Sequence, residues 1–83
     1  METNAQIRSR FIKIANEKGL APGTIYRYRR WVRKLVEHND GISIEKIGEA
    51  ELNSFFKSID MLSLTTQHQA KNAINFFFYL LTF

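Results

Sequence analysis

Arg27, Arg30 and Lys34 recur at intervals of three and four residues within Ala21 to His38, APGTIYRYRRWVRKLVEH. On a helix this spacing sets three cations one turn apart on a single stripe. The same segment puts Ile25, Tyr28, Val32, Leu35 and Val36 on the opposite side, as a buried face requires. Thr24 and Trp31 fall beside the cations, and Arg29 and Arg33 flank the edge of the apolar face. Five Arg and Lys residues face a single carboxylate, Glu37. The chemistry open to such a surface is electrostatic: it can meet a polyanion.

A charge run is most simply a solvated helix face. This one has a single sign and lacks the Glu-to-Lys alternation at i,i+4 that supports ordinary surface helices. Trp31 is expected on the exposed side, where an indole is costly unless it packs or stacks, so it can equally mark a seam with a neighbouring helix or a missing domain. A second polar stripe, Thr65, Gln69 and Asn72, supplies the amides and hydroxyls that read base edges and bind phosphates. Together the two stripes point to DNA.

Catalytic chemistry lacks its parts. There is no cysteine, which excludes a thiol nucleophile, a disulfide and a thiolate metal site. His38 and His68 have no serine and carboxylate at an evident spacing, and two histidines so far apart make no metal motif. The glycines at 19, 23, 41 and 48 form neither a P-loop nor a dinucleotide fingerprint. No cofactor is expected, and His38 reads as a helix C-terminal residue suited to the dipole.

The elements that must position the two stripes follow from composition and pattern. An 83-residue chain with 45% hydrophobic and 24% charged residues is expected to fold as one small globular domain over residues 1–83. No signal-peptide h-region and no apolar run of membrane length is present, so a cytosolic location without membrane contact is expected. Residues 1–40 hold nine Lys and Arg against four Asp and Glu, and residues 41–83 hold three against four. The positive charge is thus concentrated in the first half, as in chains that meet nucleic acid.

Thr3 and Gln6 have capping-box spacing and open a helix over about 3–18, with Ile7, Phe11, Ile14 and Ala15 on one face. Gly19 and Leu20 suit a Schellman stop. Pro22 fits the first position of a second helix, about 22–38, which ends at the turn-forming cluster His38 to Gly41. Ile42, Ile44 and Ile47 alternate, but a lone strand has no partner here, so a loop pinned by isoleucines is expected. Gly48 caps a third helix, about 48–59, with Glu49 and Glu51 in its first turn and Leu52, Phe55, Phe56 and Ile59 inward. Ser63 caps a fourth, about 64–81, whose buried side is Ala70, Ala73, Ile74, Phe77, Phe78 and Leu81. Thr65, His68, Asn72, Asn75 and Tyr79 lie on its other side. Phe76 or Tyr79 must lie at the core margin, and Leu80 and Phe83 suggest a docking surface. The fold class is all-α, a compact four-helix bundle with short connections.

In order and spacing these segments resemble the N-terminal core-binding, SAM-like domain of tyrosine recombinases, the phage integrase family. The residues that carry the resemblance are Gly19-Leu20-Ala21-Pro22-Gly23-Thr24 with Tyr28, then Gly48-Glu49-Ala50-Glu51-Leu52 with Phe55, then Ser63-Leu64-Thr65-Thr66-Gln67 through Asn72-Ala73 to Phe77-Phe78. They cover residues 7–81. Within the family the basic run RRWVRK and the start TQHQAKNA of the last helix look most like integron-type integrases. Ala21 departs from the usual Ser or Thr and removes a cap worth roughly 1 kcal/mol.

The resemblance implies that the second and fourth helices face double-stranded DNA. Thr24, Arg27 and Arg30 would approach it from the second helix, and Thr65, Thr66 and Gln69 from the fourth. Lys34 and Asn72 join them from the two stripes. It also implies a clamp completed by the protein's own catalytic domain, assembly with other recombinase protomers, and action in the bacterial cytosol at the nucleoid. The catalytic Arg/His set and tyrosine are not in this sequence, so strand cleavage is not expected of this chain alone. The alternative is a helical protein-interaction module that docks a partner domain through Trp31 and the C-terminal aromatics. A stand-alone helix-turn-helix regulator fits poorly with the long loop Asp40 to Gly48.

Overall fold

The computed structural model describes residues 2–82. The caps set the helix ends. Thr3 accepts from the Gln6 N–H at 3.1 Å while Gln6 Oε1 accepts from the Thr3 N–H at 2.8 Å, a reciprocal box that opens α1, Asn4–Glu17. At its other end Leu20 N–H donates to Ala15 O and Gly19 N–H to Asn16 O, both at 3.0 Å. Gly19 takes φ +80°. This is the expected Schellman stop, and only a residue without Cβ takes that φ cheaply.

α2, Pro22–His38, begins on Ala21 without a side-chain cap, as the departure from Ser or Thr predicts. It closes with Gly41 N–H donating to Val36 O at 2.9 Å, through Asp40 at φ 57° and Gly41 at φ 77°. The left-handed Asp40 is additional to the glycine expected there. The following segment is a loop with one 3-10 turn, Ile44–Lys46, and Ile44 is buried in the core. Asn4 holds this loop against α1: its Nδ2 donates to Ile42 O at 3.0 Å and its Oδ1 accepts from the Ile44 N–H at 2.8 Å.

α3, Glu49–Ser58, starts on Gly48, and α4, Leu64–Leu80, on Ser63, whose Oγ accepts from the Thr66 N–H at 3.2 Å. Gln67 Nε2 closes the connection between them by donating to Asp60 O at 3.1 Å and Leu62 O at 2.7 Å. Among the described residues there is no strand, and no helix is long and apolar enough to cross a membrane.

All four helices and the 3-10 turn feed one core. Ile7, Phe11 and Ala15 meet Ile25, Val32 and Leu35, with Ile44, Phe55, Ile74, Phe77 and Leu80 closing it. Phe11 and Phe77 are fully buried with ring centroids 4.5 Å apart. Each such side chain contributes roughly 1.5–3 kcal/mol by leaving water. The inward side of α4 differs slightly from expectation: Leu80 is buried, whereas Phe78 and Leu81 are half-buried at the margin. The molecule measures 35 × 29 × 17 Å. At 17 Å it is less than two helix diameters thick, so every helix keeps one side in solvent.

Arg10 ties the two ends together. Its guanidinium pairs with Glu2 at 2.7 Å and its Nη1 donates to Leu81 O at 3.0 Å. One cation of the basic first half is therefore used for structure.

Candidate nucleic-acid interface

The sequence of α2 winds its cations away from the core. Ile25, Val32 and Leu35 are buried, and at 3.6 residues per turn this sends Arg27 and Arg30 to the exposed side. Among the described residues neither has an ion-pair partner. Arg33 pairs with Glu37 at 3.5 Å across one turn, with both side chains about two-thirds exposed, a pair worth little. Lys34, expected on the open stripe, is partly buried, and its ammonium lies 5.0 Å from the centroid of the Trp31 ring. It still presents positive charge, held by the indole face.

Trp31 corrects the expectation of an exposed indole. It is half-buried and stands edge-on to the buried Phe55 of α3 at 6.5 Å, so it seals the α2–α3 seam. His38 packs on the same Phe55 ring at 5.7 Å, and its Nε2 lies 2.9 Å from Ser54 Oγ. The C-terminal aromatics divide. Phe76 and Phe78 are half-buried, Tyr79 is exposed, and Phe83 lies outside the described residues. The exposed apolar side chains gather at the α3–α4 connection, Met61, Leu62 and Leu64, which the pattern of the sequence did not single out.

α2 packs more extensively on α4 than on α1 or α3. The joint is aromatic: Tyr28 lies 5.4 Å from Phe76, and Phe76 lies 5.9 Å from Tyr79. These three rings, with Asn72 and Asn75, line an open groove between the helices. Two neutral amides and two phenols thus line the groove. Thr65, Gln69 and Asn72 are exposed on α4. Thr66 is partly buried, with its Oγ1 2.9 Å from Ser63 Oγ, so its hydroxyl belongs to the N-cap. Thr24 is partly buried in the first turn of α2.

The eight candidate residues therefore do not form one cluster. Asn72 lines the α2–α4 groove, whereas Arg30 lines a separate cleft with Arg8, Tyr26, Arg29 and Arg33. Arg8 joins that cleft from α1, and no local pattern signals it, because its neighbours there are eighteen or more residues away in sequence. The participation of Tyr28 and Phe76 in the groove was likewise hidden by their apolar character. Among the described residues no group of His, Asp or Glu is arranged to hold a metal.

The sequence matches the family described as phage integrase, N-terminal SAM-like domain, over residues 7–82. No curated protein and no solved structure gives a significant match.

Proposed function

The chain belongs to the phage integrase N-terminal SAM-like family, and from that membership we propose that it binds duplex DNA as the N-terminal domain of a site-specific tyrosine recombinase, with α2 and α4 toward the duplex. The observation that supports the orientation is that α2 carries the exposed, unpaired Arg27 and Arg30 and that the same helix packs along α4 at the groove lined by Asn72 and Asn75. The cations position the protein on phosphates, and the α4 side chains reach base edges, Asn72 having the amide that pairs bidentately with adenine. Neither α2 nor α4 carries an acid in its first turn, so no carboxylate of that turn repels a phosphate there.

In this reading the domain closes one side of the duplex and a separate catalytic domain of the same protein closes the other, in an assembly of recombinase protomers in the cytosol. Strand cleavage belongs to that other domain. The runs RRWVRK and TQHQAKNA favour an integron-type parent.

Titration of the chain with a short duplex at several salt concentrations tests the proposal. Neutralising four or five phosphates gives a slope of log K against log salt of about −4. A slope near zero, or no binding at low salt, sinks the reading; binding that survives high salt points to apolar docking instead.

A further inference from the structure

A second basic surface lies round α2 from the groove. Tyr28 faces α4, whereas Arg33 sits about 140° further round the same helix. There Arg29, Arg30 and Arg33 of α2, with Tyr26, face Arg8 of α1 across a cleft lined by no carboxylate. Among the described residues only Arg33 of the four is ion-paired, and its Glu37 partner is mostly exposed. The Nε of Arg29 is buried and has no hydrogen-bond partner, the one buried side-chain polar atom so placed among the described residues.

Four guanidinium groups gathered with only the exposed Glu37 as counterion repel one another, and a buried N–H left unmet is unfavourable. An oxyanion in the cleft relieves the repulsion, and it can pair with the Arg29 guanidinium that lines the cleft. The planar fork of arginine matches the oxygens of a phosphate, and a tyrosine hydroxyl is a further phosphate donor. Arg30 belongs to the cleft and to the exposed ridge of α2 alike, so the cleft continues the basic track that starts at Arg27.

We infer that the Arg8–Arg29–Arg33 cleft is a second phosphate site, which takes a phosphodiester of the DNA backbone and extends the interface across α2 onto α1. The inference rests on the duplex-binding reading, and adds to it a contact outside the α2–α4 surface.

The test follows the Arg29 Nε–Hε resonance of the chain by NMR during titration with a short duplex, and in parallel with inorganic phosphate alone. It also measures the salt slope of the Arg8→Ala/Arg33→Ala double variant, whose helicity is checked by circular dichroism. The expected result is a shift of the Arg29 resonance with duplex and a slope that falls from about −4 to about −2. If duplex binds and shifts the amides of Arg27 and Asn72 while the Arg29 resonance stays still, the cleft is no DNA site although the duplex reading survives. A response to inorganic phosphate with an unchanged duplex slope makes the cleft a site for the free anion and overturns the inference. Absence of any duplex binding removes both readings. The Arg29 measurement uses the unaltered chain, so it decides the matter even if the double variant fails to fold.

Discussion

The ring of Tyr28 on α2 stands 5.4 Å from the ring of Phe76 on α4, at an interplanar angle of 55°. Both side chains are half-buried, and both line the groove that carries Asn72 and Asn75. The pair thus holds the two helices together and forms part of the wall that the proposed duplex would face. Replacing Phe76 with Ala is expected to cost about 1–3 kcal/mol of stability. It should also weaken duplex binding when measured on fully folded protein, because the spacing of the two stripes loosens. Urea unfolding and duplex titration of the same variant separate the two effects; undiminished affinity would place the groove outside the interface.

Arg27 and Asn72 stand on different helices and are assigned different work. Arg27→Ala together with Arg30→Ala should weaken binding and make the salt slope about 2 less steep. Asn72→Ala should lower affinity and leave the slope unchanged, since an amide releases no counterion. Titrations at three or more salt concentrations read both. Equal changes in slope for the two variants would contradict the division between positioning and base contact.

Phe77 is buried against Phe11 and removes no group from the proposed interface. Phe77→Ala should destabilise the fold by about 3–5 kcal/mol, the usual range for a fully buried aromatic. For a domain of this size that is a large part of the total stability. A midpoint of urea unfolding close to that of the unaltered chain would show that the core does not depend on this contact.

Asn4 is the only described side chain that bonds to the backbone of both Ile42 and Ile44. Its replacement by Ala leaves the half-buried Ile44 N–H without its acceptor, at a cost of about 1–3 kcal/mol. Hydrogen exchange should then accelerate at Ile44 more than at Leu35 or Ile74, because the loop opens before the bundle does. Uniform acceleration would mean that the loop and the core open together.

Much of the fold was legible in local signals. Thr3 with Gln6, Gly19 with Leu20, Pro22 and Ser63 each act on backbone groups within five residues of themselves, so cap and stop chemistry can be read before the chain folds. The period of the apolar residues is equally local: Ile7, Phe11 and Ala15 share a face by helix geometry alone. The same logic placed Arg27 and Arg30 outward. It failed for Trp31, because its angular position on α2 says nothing of where α3 lies, and Phe55 on α3 is what covers the indole.

The sequence by itself determined the helices, most of the inward face of each and the sign of the charge on α2, because these depend on contacts within about one turn; the margins of the α3 and α4 faces were set by packing. Only the tertiary structure decided which helix edges meet. It set Tyr28 against Phe76 and so made the groove; it brought Arg8 of α1 to Arg29 and Arg33 of α2; and it turned Lys34 onto Trp31 and Thr66 into a cap. The physical reason is that a helix fixes the direction of its own side chains, whereas the partner each side chain finds depends on how several amphipathic helices share one small core.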